Sequence, residues 1–174
     1  VWGTAQALGD FKSYSPDFGR EPTERTTAYM AYDAENIYFA FKCYDREPDK
    51  IKAALAERDT VKTDDFICIN LDTFNDRQAL SAFYVNPLGI QSDSRFAAGQ
   101  EDFSVDFVWE SAGRIDADGY SVELRIPFKS MRYAGKKMVE MAIVFERFIS
   151  RRAEHVVFPA FDPARGLSFL TQMM

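Results

Sequence analysis

The residues of this sequence whose types and spacing best suit chemistry are aromatic. Phe 16, Tyr 8 and Trp 2 make up 26 of 174 positions. Trp109 follows Phe107 by two residues on one strand face, with Glu110 beside it. Such a platform can stack on the apolar C–H face of a sugar ring, while Asp, Asn, Gln or Arg at its rim bond the hydroxyls. Trp109 is the expected stacking ring, and Asp65 and Arg95 the expected hydrogen-bonding groups. Core packing of Trp109 is the competing reading, because indoles are usually highly buried. Trp2 is expected to anchor the first segment against the core.

Other chemistries find less support. A Ser or Cys triad needs a histidine as base, and His155 is the only one; no GxSxG, P-loop or GxGxxG pattern occurs. With no cysteine near His155, zinc-ligand spacing is missing too. The 27 Asp and Glu could supply a glycosidase pair, but their abundance removes the signal. Asp72-Thr73-Phe74-Asn75-Asp76 puts several oxygens at one strand end, where they could serve calcium or simply form a turn. A net charge of −6, with no basic run longer than Arg151-Arg152, argues against nucleic acid and against anionic membrane surfaces. Cys43 and Cys68 read as buried residues of neighbouring strands, with a single disulfide as the alternative.

The elements that must position these residues are strands. Thr26 to Tyr32 and Ile37 to Tyr44 flank turn chemistry at Asp33-Ala34-Glu35-Asn36, with Ile37, Phe39, Phe41 and Cys43 on one face. Further strands are predicted at Phe66 to Phe74, Leu80 to Asn86, Ile90 to Phe96, Phe107 to Asp116, Tyr120 to Phe128, Met138 to Ile149 and Glu154 to Phe158. One short helix is predicted between Pro48 and Glu57, from the spacing of Ile51, Ala54 and Leu55. Trp2 to Arg25 reads as mostly irregular, and Pro159 to Met174 is ambiguous. The expectation is a single all-β domain over 1–174, an antiparallel β-sandwich of jelly-roll type with one short helix. The first residue, Val1, suggests a piece excised or processed from a longer exported protein.

In this order and spacing the residues resemble a known family. Trp2, Ala5 and Phe11, then Tyr32-Asp33 and Asn36-Ile37-Tyr38, resemble the start of the family 9 carbohydrate-binding module-like (DOMON-like) domain, in the form found at the N-terminus of bacterial outer-membrane-associated proteins. The likeness continues through Arg58-Asp59, Asp65, Leu71 to Asp76, Phe83 to Gly89, Asp93, Gly119 to Glu123, Ile126-Pro127-Phe128, Met131-Arg132-Tyr133 and Phe145-Glu146-Arg147. It implies a jelly-roll sandwich, often carrying calcium, that clamps a sugar between two tryptophans. Tyr120, Val139 and Val157-Phe158 stand where that pattern has tryptophan, so Phe158 with Trp109 is expected to replace the clamp. The resemblance implies a non-catalytic module located in the periplasm or at the outer-membrane surface; a related branch of the fold ligates haem through Met with His, but with His155 the only histidine no haem is expected here. Its partners would be a carbohydrate and a C-terminal membrane β-barrel of the same full-length chain, with no nucleic acid. The alternative is a structural domain docking onto that barrel or another partner, without a sugar site.

Overall fold

A computed structural model describes residues 2–55, 57–162, 164, 170, 172 and 173. Its strands are β1 (Ala7–Leu8), β2 (Lys12–Ser15), β3 (Thr26–Tyr32), β4 (Asn36–Tyr44), β5 (Phe66–Asp72) and β6 (Ala79–Val85). They continue with β7 (Gln91–Ala97), β8 (Gln100–Asp102), β9 (Glu110–Asp116), β10 (Gly119–Pro127), β11 (Ala142–Ile149) and β12 (Glu154–Phe158). A five-stranded sheet runs β1-β3-β4-β10-β9 and a seven-stranded sheet runs β2-β12-β11-β5-β6-β7-β8. Every paired neighbour is antiparallel.

Period-two alternation drives the packing. In β4, Ile37, Phe39, Phe41 and Cys43 are buried in the inter-sheet core, joined by Tyr120, Val122, Leu124 and Ile126 of β10. From the other sheet come Ile67, Ile69, Leu71, Phe83, Phe145 and Val156. The phenyl ring of Phe145 meets Phe39 and Phe41 edge-on, at centroid distances of 5.8 and 5.3 Å. Arg147 is fully buried between the layers. Its guanidinium donates to the carbonyl of Arg25, to Thr26 Oγ1 and to the carbonyl of Tyr44, all within 3.2 Å, and lies 5.3 Å from the Tyr120 ring. With both terminal nitrogens bonded and Nε without a partner among the described residues, this buried cation ties β11 to the start of β3 and the end of β4.

Three expectations need correction. The segment after Pro48 makes only a 3-10 turn, Pro48–Lys50, because Asp64 captures the chain: its carboxylate accepts the Ala54 N–H at 2.9 Å. The first 25 residues hold β1 and β2, each pinned to a sheet edge. Cys43 and Cys68 are both free and lie in opposite sheets, the first in the inter-sheet core and the second on the far face of the seven-stranded sheet.

Candidate functional site

In the central strands of the seven-stranded sheet the outward residues are apolar as well as the inward ones. Phe66, Cys68, Leu80, Ala82, Ala142, Val144 and Val157 form a second apolar layer on the outer face, with Phe161, Leu170 and Met173 packed on it. Register builds the surface row by row. Val157, Glu146, Cys68, Tyr84 and Ser92 are successive partners across β12, β11, β5, β6 and β7. Beside them run Val144, Asn70, Ala82 and Ser94. A third row pairs Leu80 with Phe96, and Phe96 with Glu101.

These rows leave an open groove of about 230 Å³. Tyr14, Tyr84, Phe96 and Phe161 supply its rings, and Glu101, Glu146 and Asn70 its polar rim. Tyr14 and Phe161 touch at a centroid distance of 4.9 Å, joining β2 to the segment after β12. Glu101 Oε1 accepts the Tyr84 hydroxyl at 2.7 Å and the Ser94 hydroxyl at 2.6 Å. Glu146 Oε1 contacts Nδ1 of His155, whose ring lies 4.4 Å from that of Phe148. Burial, then the neighbouring charges of Cys68, Glu101 and Glu146, push the Tyr84 phenol far up, so it remains a hydrogen-bond donor. Burial, reinforced by Glu146, also raises the Cys68 thiol, which is inert here. A carboxylate has about four acceptor positions, so Glu101 retains capacity for an incoming hydroxyl. Ring faces beside fixed acceptors can hold a flat ligand with an apolar face and hydroxylated edges.

No family model matches the sequence, and no curated protein does. Among solved structures, a family 9 carbohydrate-binding module from Caldicellulosiruptor kristjanssonii in complex with glucose superposes with a TM-score of 0.61 at 16% identity, covering 99% of this chain and 83% of that one. The module from that organism in complex with cellotriose gives 0.57 at 16% identity, over 90% and 73%. A candidate carbohydrate-binding protein from Bacteroides uniformis gives 0.62 at 13% identity, over 86% and 76%. The fold is that of a family 9 module.

Within this family 9 fold the four residues expected from sequence do not converge. Trp109 precedes β9, is 5% exposed and packs edge-on against Phe83 at 5.5 Å, so it offers no open ring face. Phe158 is half-buried, stacked on Phe145 and touching Phe11. Phe158, Phe145, Ile69 and Phe83 are successive cross-strand partners. Three strand spacings, roughly 14 Å, therefore separate Phe158 from the ring that Trp109 packs on. Asp65 is fully buried, its Oδ1 accepting the Ser150 N–H at 3.1 Å. Burial raises its carboxyl pKa, opposed by that N–H and by Arg147. Arg95 is exposed, on β7 opposite Ser81 and Asp102. Asp72 is also buried, and both its oxygens accept N–H groups of its own turn, from Phe74 and Arg77. Among the described residues no cluster of three or more His, Cys, Asp or Glu is arranged to share a metal ion.

The groove residues escaped the sequence reading because they are scattered along the chain from Tyr14 to Phe161 and β8 is only three residues long. A signal was present in Phe66-Ile67-Cys68-Ile69-Asn70-Leu71. A strand apolar on both faces needs cover on both, so the outer face of this sheet had to carry something.

Trp2 anchors the first segment to the sheet surface and not, as expected, against the core. It donates from Nε1 to Glu123 at 2.7 Å and lies 6.3 Å from the Tyr29 ring, on the outer face of the five-stranded sheet.

Proposed function

We propose that this chain is a non-catalytic carbohydrate-binding module and that the groove on the outer face of the seven-stranded sheet is its sugar site. The observation that carries the reading is the convergence of Tyr14, Tyr84, Phe96 and Phe161 with Glu101, Glu146 and Asn70 around one open cavity of about 230 Å³. A pyranose would lay its C–H face on the rings and direct its hydroxyls to the carboxylates. The fold it shares with modules in complex with glucose and cellotriose supports neutral glucose-type sugars as first ligands. An exported address in the periplasm or at the outer-membrane surface, and a barrel partner, accompany this reading as the resemblance implies.

The test is calorimetric titration of the wild type with glucose and cellotriose, followed by Glu101→Gln and Phe96→Ala. Glu101→Gln keeps an acceptor for Tyr84 and removes the charge, so affinity should fall by about tenfold or more with the fold intact. Unchanged affinity in both variants would move the site elsewhere. No heat with either sugar, and no retention on insoluble polysaccharide, would end the carbohydrate reading.

A further inference from the structure

The net charge of −6, which by itself argues against anionic membrane surfaces, conceals an uneven distribution that reverses that reading at one end of the molecule. Residues 128–139 hold Lys129, Arg132, Lys136 and Lys137 and no acid, which leaves 17 cations against 27 acids in the rest of the chain. All four side chains are exposed. Among the other Lys and Arg whose side chains are described, all but Lys52 and Arg95 have an ion pair, a ring contact or another partner. Four of the six unpaired cations among the described side chains thus fall within nine residues.

Apolar side chains surround them. Tyr133 and Met138 belong to the same stretch and are 40% and 76% exposed, while Phe74 and Val108 are 50% and 73% exposed. The neighbouring loops are tied to it: Thr73 Oγ1 donates to the Arg132 carbonyl at 2.5 Å, Ser130 Oγ donates to the Val108 carbonyl at 2.6 Å, and the Tyr133 ring lies 6.0 Å from Phe128. The nearest acids in sequence are Glu140, the buried Asp72 and Asp76 on the Phe74 turn, and Asp106 and Glu110 on either side of Val108, which pair with Arg58 and Arg125.

We infer that this end of the sandwich docks onto an anionic phospholipid surface, with Lys129, Arg132, Lys136 and Lys137 meeting headgroup phosphates and Tyr133, Met138, Phe74 and Val108 entering the headgroup boundary. Basic segments of about four to eight Lys and Arg are drawn to an anionic leaflet, each cation near the surface adding to the attraction. A nucleic acid would match the cations and could stack on Tyr133 and Phe74, but it would leave the aliphatic Met138 and Val108 without apolar cover. A bilayer interface takes both, because long basic side chains reach the phosphates while their stems and apolar neighbours sit deeper. The acidic remainder of the molecule is repelled by the same surface, so docking is oriented, with this end down.

The test is co-sedimentation with vesicles of phosphatidylcholine alone and of phosphatidylcholine with about 30% phosphatidylglycerol. Binding to the anionic vesicles only, weakening steeply between about 0.05 and 0.5 M salt, is the expected result. The pair Lys136→Glu and Lys137→Glu should lower the partition coefficient by about tenfold or more, and Tyr133→Ser with Met138→Ser should lower it at unchanged charge. All four positions are exposed, and circular dichroism checks that the variants fold. Equal partitioning to both vesicles, no partitioning, or indifference to either pair of substitutions would overturn the proposal. So would tighter capture by a soluble polyanion such as dextran sulfate.

Discussion

Trp109 shows how one side chain can match a binding chemistry by type and yet serve packing. Its indole is edge-on to Phe83 with Phe107 on the same ring, and its Nε1–H has no acceptor among the described residues. Trp109→Ala should therefore cost about 3–5 kcal/mol in urea unfolding, and Trp109→Phe, which gives up no hydrogen bond, about 1–2 kcal/mol. Two buried carboxylates should carry opposite pH signatures. Burial pushes Asp45 up, but hydrogen bonds from Arg151 and the Glu47 N–H, with the charges of Arg151 and Arg147, bring it below the ordinary carboxylate value. Its stabilising effect is present above the unfolded-state pKa of about 4 and is lost as pH falls through the lower folded value. Asp65 is shifted upward, so its contribution is present at low pH and lost as pH rises through its raised pKa. Stability curves measured from about pH 3 to 7 should lose part of their acid-side slope in Asp45→Asn, and should rise at the neutral end in Asp65→Asn.

At the level of elements, the hairpins were legible and the irregular pieces were not. Asp116-Ala117-Asp118-Gly119 predicts a turn, and β9 and β10 pair from Asp116↔Gly119 onward. Gly119 has φ +136°, and a Cβ there would meet the Cys43 carbonyl oxygen at 2.0 Å. Gly119→Ala should destabilise by about 2–4 kcal/mol in urea unfolding, from backbone strain and a clash that no rotamer relieves. Phe107 to Asp116 reads as one strand by pattern, yet β9 starts only at Glu110. Asp93, fully buried, holds the preceding residues off the ladder by accepting the Phe107 N–H at 2.5 Å, while Arg58 donates to the Phe107 carbonyl at 2.8 Å. Those contacts span tens of residues, so no local period announces them. They turn an expected strand face into a loop that packs Phe107 and Trp109 inward.

For the whole molecule the decisive feature is that the larger sheet is covered on both sides. Deleting 159–174 would remove Phe161, Leu170 and Met173 from the outer layer. It should cost about 5 kcal/mol and expose Val144 and Val157 to a hydrophobic dye such as ANS. An undiminished urea midpoint with no dye binding would mean that the segment is not structural cover. The sequence alone determined the class and most strand positions, because alternation in segments such as Ile37 to Cys43 and Tyr120 to Ile126 is a local property that only a half-wet sheet satisfies. It also placed Arg147 in a strand and Asp65 just before one, but did not show that they are buried together. The groove, the burial of Trp109 and the basic apolar end were decided by tertiary structure. Each depends on which strands become neighbours, and cross-strand register brings together Tyr84, Phe96, Glu101 and Glu146, residues that share no local pattern.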